Sequence, residues 1–509
     1  MLIHQVAMFV VIASHPMRAG AASDPSRAAG PSMVFAQSAP KWETAHESFL
    51  SLEQATAAAE AKAQKKAKKE KKKSDAVAPD EEVDADQTVD QNDGPSHFVW
   101  KQHPSIRYGK VFRLDFQAKL QEDAHGSYAG ASGVKCPNTA LPSTCLWELH
   151  RNRVGIEGHV FKHIEYEAER ELTEQELTDK ELLAGYSPQS LWKNVDVNIT
   201  YVNNFQVQAG RFKIPFSLDE LTGDSHNDFA YRSLGASNLA PARDSGVMLH
   251  GRFFKRGLNY WAGVFRHDGD NARSKKILGG DETFALRVTG TPLRRLNQDV
   301  FGSLTLGTAL AFSAVSDDSY RPNGLRGRTL FNRDTFYEPV YVSGHRRRWE
   351  GDLDWLGGPA SVRSEFTWMT DDRTKQGIGD QNLPDARARS WYVTGTWILT
   401  GEPKTRPVKA ANELLRGGFG ALEAVARVER LWFDSVNGAD TSASFRNPRS
   451  ETISPRGEKA LTLGMNWTLN RWVKVQFSTI REHVEDPETN PVPNGGASWS
   501  RVVRFQFVL

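Results

Sequence analysis

The chemistry that this chain offers comes mainly from arginine and lysine side chains at regular positions. Guanidinium and ammonium groups bind small anions through charge-assisted hydrogen bonds. On predicted strands these residues alternate with an apolar face, so we expect them to point into an interior. The candidates for an anion pathway, on strands and in one long connector, are Arg113, Lys119, Lys213, Arg232, Arg243, Arg348, Arg363, Arg427, Lys474 and Arg504.

Acidic residues occupy the same predicted face and leave a second interpretation open. Asp115, Glu157, Glu365, Glu423 and Glu429 share the strand parity of the basic residues. Opposite charges on neighbouring strands pair with each other. A single inward arginine is therefore more often half of a structural ion pair than an anion ligand.

No other constellation in the sequence predicts catalysis or cofactor binding. We find no glycine-rich phosphate loop and no nucleophile elbow, so we expect neither an enzyme nor a cofactor. The only two cysteines, Cys136 and Cys145, fall in one predicted loop, as a disulfide or as two free thiols, and their spacing is not that of a zinc site. With 64 basic and 62 acidic residues, the chain lacks the excess charge of a nucleic-acid-binding protein.

The elements that must position these residues are about sixteen short stretches with period-two alternation between residues 110 and 509. In residues 111–120, apolar residues from Phe112 onward alternate with Arg113, Asp115, Gln117 and Lys119. Trp391, Val393, Trp397 and Leu399 form one of the apolar faces. Such stretches predict half-buried β-strands, and their apolar faces fit lipid.

The connectors between these stretches are alternately short and long. Long connectors include 121–147, 213–245 and 313–346, whereas 202–203 and 255–256 are short; 290–299 and 401–419 break the rule. An all-β transmembrane barrel has short turns at one rim and long loops at the other. A strand at 499–509 would pair with the first strand and close this antiparallel barrel.

The first hundred residues differ in composition from the rest. Residues 1–36 resemble a secretory signal peptide. Residues 37–104 predict an arm, first helical and lysine-rich and then acidic and disordered. The arm is either a solvated tail or a periplasmic contact to peptidoglycan or a partner chain. The predicted barrel covers 105–509.

Several segments resemble the phosphate-selective porin O and P family. They are GRFKIPFSLDE at 210–220, LAPARDSGVMLHG at 239–251, WILTGE at 397–402 before GGFGALE at 417–423, and GPASVRSEF at 358–366. The final residue, Leu509, departs from the C-terminal aromatic of many outer-membrane proteins. The resemblance covers roughly 105–509. It implies a sixteen-stranded outer-membrane barrel, a homotrimer, that passes small anions.

We therefore expect a bacterial outer-membrane porin for small anions, with phosphate as a candidate solute. The alternatives are a weakly selective general porin and a structural barrel that tethers envelope layers. Connector 213–245 is the expected constriction loop. The run His345, Arg346, Arg347 is the expected basic cluster at the pore mouth, with contact to lipopolysaccharide phosphates or simple solvent exposure as alternatives. Outer-membrane lipid and lipopolysaccharide are the expected surroundings.

Overall fold

A computed structural model describes residues 97–100, 103–128, 147–173, 190–272, 282–294, 301–315, 324–331, 333–436, 453, 455–485 and 497–509. The chain divides into two units, Met1–Ala78 and Pro79–Leu509, and all described residues belong to the second unit. The predicted signal peptide and both cysteines lie outside the described residues, as does the predicted arm up to residue 96. No helix in the described ranges has the length and apolar composition needed to cross a membrane.

The described chain is almost entirely β-structure. In chain order the strands are β1 (His97–Trp100), β2 (Pro104–Tyr108), β3 (Phe112–Tyr128), β4 (Trp147–Val160), β5 (Ile164–Glu171), β6 (Trp192–Val202), β7 (Phe205–Lys213), β8 (Arg243–Phe253), β9 (Leu258–Phe265), β10 (Thr283–Gly290), β11 (Thr305–Val315), β12 (Gly327–Arg328), β13 (Thr335–Tyr337), β14 (Gly344–Gly357), β15 (Ala360–Arg373), β16 (Leu383–Ile398), β17 (Ala421–Ser435), β18 (Arg456–Thr468), β19 (Val473–Val484) and β20 (Ser498–Val508). The short helices are α1 (Leu218–Leu221), α2 (Leu234–Asn238) and α3 (Gly269–Ala272), with 3-10 turns at Asp224–His226 and Leu414–Arg416.

Sixteen of these strands, β3–β11 and β14–β20, form one closed antiparallel barrel. Each pairs with its neighbours in chain order, and β11 pairs with β14. The barrel closes where β20 pairs with the second half of β3, with Val503 opposite Ala124. The sequence prediction of a sixteen-stranded barrel is therefore confirmed.

The barrel is polar inside and apolar outside. On β17, Glu423, Arg427 and Glu429 are at most 2% exposed, whereas Val428 is 47% exposed. On β16, Val393 and Trp397 face outward, as the sequence predicts. Alternate residues of a pleated strand point to opposite faces, so one strand serves both lipid and lumen.

The connectors follow the predicted rhythm. At one rim, β4–β5, β6–β7, β8–β9, β14–β15 and β18–β19 are joined by two to four residues, while 291–304 and 399–420 are the longer exceptions. At the other rim the connectors are 129–146, 172–191, 214–242, 266–282, 316–343, 374–382, 436–455 and 485–497. In barrels of this kind the long-loop rim faces the cell exterior.

Three predicted boundaries need correction. The first barrel strand runs on to Tyr128, because its second half pairs with both β4 and β20. Residues 160–163 belong to the end of β4 and its turn, so β5 starts at Ile164. Residues 97–104, assigned to the arm by sequence, contain β1 and the start of β2. Strand β2 pairs with β3 at Tyr108 opposite Phe112, which extends the sheet ahead of the predicted start.

Candidate functional site

The segment 214–242, here called the inner loop, connects β7 and β8 and crosses the barrel interior. Lys474 Nζ, on β19, donates to the backbone oxygens of Ser225 and Asn227 at 3.0 and 2.9 Å. Arg427 Nη1, on β17, donates to Tyr231 O at 3.0 Å. Because these strands lie on the opposite wall from β7 and β8, the inner loop narrows the lumen, as sequence predicts for connector 213–245.

Inward carboxylates anchor both short helices of the inner loop. Glu365 on β15 accepts from the backbone N–H of Asp219 at 3.0 Å, and Glu429 on β17 accepts from that of Leu234 at 2.6 Å. These N–H groups lie in the first turns of α1 and α2, where no intrahelical acceptor exists. At the other end of α1, Lys213 Nζ donates to the backbone oxygens of three consecutive residues, 220–222, at 2.5, 3.2 and 3.0 Å.

Asp224 ties the inner loop to β4. Its carboxylate lies 2.7 Å from Arg153 Nη1, 2.6 Å from Arg232 Nη2 and 3.5 Å from Arg151 Nη2. Burial alone would raise the pKa of Asp224, but the guanidinium groups of Arg151, Arg232 and Arg153 outweigh it and hold that pKa well below its usual value. Asp224 is therefore ionised at neutral pH.

Asp228 ties the inner loop to the short-turn rim. Lys404, in connector 399–420, donates to Asp228 and to Glu423 on β17, each at 2.5 Å. Burial would raise the pKa of Asp228, and Lys404, Arg406 and Arg363 together lower it below its usual value. Contacts with charged side chains thus hold the inner loop from Asp219 to Leu234.

A second segment, 324–342, fills the space beside the inner loop. The backbone N–H groups of Leu330 and Phe331 donate to Glu458 and Glu482 at 3.3 and 3.0 Å. Asn238 in α2 makes two hydrogen bonds with the backbone of Arg328. An apolar cluster joins both segments to the barrel wall; it includes Leu234, Leu239, Leu330, Phe331, Phe336, Tyr337, Met369, Leu431, Phe433 and Val502. On the wall, the residues of this cluster belong to β15–β20.

The wall formed by β3–β8 carries a concentration of cations, here called the basic patch. Its members are Lys119, Arg151, Arg153, Lys193, Lys213 and Arg243, on β3, β4, β6, β7 and β8.

Within the basic patch, cations outnumber the carboxylates that bind them. Lys119 pairs with Glu169 at 2.6 Å, and Arg153 with Glu171 at 2.7 Å. Lys213 and Arg243 lie directly opposite each other in the β7–β8 register.

Three patch members have no carboxylate partner. Arg243 donates to the neutral amide of Asn194 at 2.8 Å. Lys193 interacts electrostatically with Arg153 and Arg243, and with the carboxylates of Asp270 and Glu171. Among the described residues, no carboxylate lies within ion-pair distance of Lys193, Lys213 or Arg243. The patch therefore keeps a net positive charge beside the inner loop.

The ten sequence candidates separate into different environments. Lys119, Lys213 and Arg243 belong to the basic patch, and Arg232 faces it from the inner loop. Arg363, Arg427, Lys474 and Arg504 instead hold the far side of the inner loop, through Thr222, Tyr231, Ser225 and Ala230. Arg113 pairs with Asp115, and Arg348 with Asp268.

The expected pore-mouth cluster is divided by the pleat of β14 and needs correction. Arg346 and Arg348 point inward, are each 1% exposed and both bind Asp268. His345 and Arg347 point outward and lie near Asp372, at 3.5 and 3.0 Å. Neighbouring residues of one strand face opposite sides of the sheet, so this run is not one cluster.

Sequence reasoning left Arg151 and Lys193 out of the candidate pathway. Arg151 shares the parity of Arg153, so alternation alone could have found it. Lys193 shares the parity of the outward Val195, but a bulge between β5 and β6 turns it inward, where it is 8% exposed. A bulge inserts one extra residue and reverses the alternation, which no period-two pattern reports.

Catalytic and metal-binding geometry is not evident in the described parts of the chain. There, no group of three or more His, Cys, Asp or Glu side chains is arranged to hold a metal ion. Apart from members of the basic patch such as Lys193 and Arg243, the interior cations described above form ion pairs or bind the backbone of the inner loop.

Comparison with known proteins gives one family match and several structural likenesses. The model of the family "phosphate-selective porin O and P" matches residues 119–509. Among curated proteins, none matches this chain.

Three similar solved structures are outer-membrane proteins or porins. A loop L8 deletion mutant of OmpT from Vibrio cholerae is 12% identical, with a TM-score of 0.48, over 78% of this chain and 100% of that one. OmpF of Salmonella typhi in complex with daunomycin is 11% identical, with a TM-score of 0.47, over 79% and 99%. An anion-selective porin from Comamonas acidovorans is 12% identical, with a TM-score of 0.44, over 78% and 100%.

Proposed function

Because this chain belongs to the phosphate-selective porin O and P family of outer-membrane porins, we propose that its barrel passes small anions by passive diffusion. A sixteen-stranded barrel leaves an aqueous channel, and the charges at its narrowest part set the selectivity. We propose that this part lies between the inner loop and the basic patch.

The observation that carries the proposal is the surplus of cations in the basic patch. Lys213 and Arg243 donate to neutral oxygens, and Lys193 lies near Asp270 and Glu171 but forms an ion pair with neither, so we propose that these three charges act on a passing anion. Ammonium and guanidinium groups replace part of an anion's hydration shell and favour its entry over that of a cation.

Three finer points belong to the same proposal. Phosphate is a candidate solute because its oxygens accept several charge-assisted hydrogen bonds at once. The family resemblance underlies the proposed homotrimer. Residues 1–36 are proposed to be a signal peptide and 37–96 a periplasmic arm.

The test is the reversal potential of the purified full-length protein in a planar bilayer under a chloride gradient. The variant K193Q/K213Q/R243Q removes three positive charges from the patch. The control K162Q/K255Q/R416Q removes three from exposed positions at the short-turn rim. We expect anion preference in the parent and the control, and its loss in the patch variant.

Lys193→Gln alone serves as a second variant, because this side chain makes no hydrogen bond that folding of the inner loop depends on. Anion preference that survives both patch variants would contradict the proposal. Phosphate titrated into chloride then tests the solute, since a bound phosphate reduces the chloride current.

A weakly selective general pore is the second candidate, favoured by a row of carboxylates on the same wall. Asp115, Glu157, Glu167 and Asp196 lie opposite one another in register across β3–β6. On β3 this row lies four residues from Lys119, about 13 Å along the strand towards the short-turn rim. A parent reversal potential near zero would favour this candidate.

A further inference from the structure

The outer surface of the barrel near the long-loop rim carries a second group of cations, here called the outer basic belt. Its members are Arg347, Arg387, Arg389, Arg430, Lys459 and Arg481, on β14 and β16–β19.

Alternation places these side chains on the outside. Arg430 stands between Glu429 and Leu431, which are 1% and 0% exposed, while its own side chain is 35% exposed. Lys459 is 56% exposed between two fully inward neighbours. Arg481 is exposed as well, between the buried Ile480 and Glu482. None of these cations can therefore act on solutes in the lumen.

Strand register joins the members into one continuous surface. Arg347 and Arg387 both lie opposite Thr370 of β15, one from each side. Arg430 lies directly opposite Lys459. Each member stands within a few residues of the strand end that leads to a long connector. The belt therefore follows the exterior rim over neighbouring strands.

Tryptophan side chains mark the depth of this belt. Arg389 and Arg430 each lie 4.9 Å from the ring of Trp432, and Arg481 lies 5.7 Å from that of Trp499. Aromatic girdles of membrane barrels lie at the level of the lipid headgroups. The cations that stack on these rings are consequently at headgroup level too.

The nearby carboxylates neutralise only part of the belt. Asp434 is shared by Arg387 and Arg389, and Glu485 by Arg430 and Lys459. Asp372 pairs with Arg347. Asp385 on β16 also interacts electrostatically with Arg347. Six cations thus face four carboxylates, so the belt keeps a surplus of positive charge among these groups.

We propose that the outer basic belt binds the phosphate groups of anionic lipids in the extracellular leaflet. Guanidinium groups bind phosphate oxygens in pairs, and a basic surface at a membrane interface selects anionic headgroups. Because the belt cations stack on outward tryptophans at headgroup depth, we expect their phosphate ligands to come from lipid rather than from free phosphate. The belt is therefore a lipid contact, separate from the conduction pathway.

The experiment measures binding of fluorescently labelled lipopolysaccharide to the folded full-length protein in detergent. The variant R347Q/R430Q/R481Q removes three belt charges, and K162Q/K255Q/R416Q is again the matched control at the opposite rim. We expect the belt variant to bind about a hundredfold more weakly and the control to bind like the parent. Dephosphorylated lipopolysaccharide should bind the parent as weakly as the phosphorylated form binds the belt variant.

Folding is checked by heat-dependent electrophoretic mobility and by channel conductance, which the belt does not touch. If the triple variant does not fold, Arg481→Gln alone should still weaken binding about fivefold, because Arg481 pairs with no carboxylate among the described residues. Equal binding by parent and variant would overturn the proposal. Full displacement of the lipid by millimolar inorganic phosphate would also overturn it, since the occupant would then be free phosphate.

Discussion

Two walls of the barrel interior use the same residue types for different purposes. The far wall is formed by β15, β17, β19 and β20. Its buried cations contact carboxylates or inner-loop carbonyls; they are Arg363, Arg427, Lys474 and Arg504. The near wall is formed by β3–β8, and its basic patch has more cations than carboxylates that pair with them. A buried charge without a partner is costly, and each of these four cations has a carboxylate or carbonyl partner, whereas Lys193 and Arg243 of the patch form no ion pair with any described carboxylate. The role of each cation therefore depends on whether a carboxylate or carbonyl oxygen lies close enough to bind it.

The largest expected effect comes from Arg504 on the far wall. Its Nε and Nη2 each lie 2.6 Å from Asp123 on β3, which joins β20 to β3 at the barrel seam. Arg504→Gln leaves the buried Asp123 without its cation, so we expect unfolding to become easier by about 3–5 kcal/mol. Chemical denaturation in detergent measures this. Arg501→Gln, exposed on the same strand, should change stability by less than about 0.5 kcal/mol, and an equal loss in both variants would refute the assigned role.

The second-largest effect is expected from acid, which should release the inner loop from β4. The pKa of Asp224 is lowered in the folded protein. Its stabilising contribution is therefore complete above its unfolded-state pKa of about 4, and it is lost as pH falls through the folded-state pKa. We expect the difference in single-channel conductance between the parent and Asp224→Asn to stay constant from about pH 8 to pH 4 and to shrink below that range. Asp224→Asn should show the acid-state conductance already at neutral pH. An unchanged acid transition in this variant would point to another group.

Lys474 should have a smaller, local effect. Lys474→Met removes two hydrogen bonds to the inner loop without a carboxylate being left unpaired. We expect a loss of about 1.5–3 kcal/mol and noisier current, because the loop gains freedom on its far side. Conductance noise that matches the parent would show that Ser225 and Asn227 are held by other contacts.

The smallest effect on stability is expected on the near wall, at Lys119. This side chain is 27% exposed and pairs with Glu169, and such screened pairs contribute about 0–1 kcal/mol. Lys119→Gln should therefore leave stability almost unchanged and shift the reversal potential towards cation permeability. A stability loss as large as that of Arg504→Gln would erase the distinction between the two walls.

Much of the barrel follows from local sequence pattern. Alternation identified the sixteen barrel strands and the outward faces of Val393 and Trp397, because pleat and side-chain direction have the same period of two. Connector lengths identified the two rims and the inner loop. The segments at 210–220 and 239–251 identified the family.

Tertiary structure alone decided which cations have a carboxylate partner and which do not. Arg504 meets Asp123 across 381 residues of chain, and Arg363 meets Thr222 across 141. Such partners are set by barrel closure and strand register, which a local pattern does not contain. The bulge that turns Lys193 inward likewise breaks the alternation on which sequence reasoning depends. The sequence by itself thus determined which face each regular strand residue occupies. Only the folded barrel decided which cations are neutralised, because Coulomb interactions depend on distances between residues far apart in the chain.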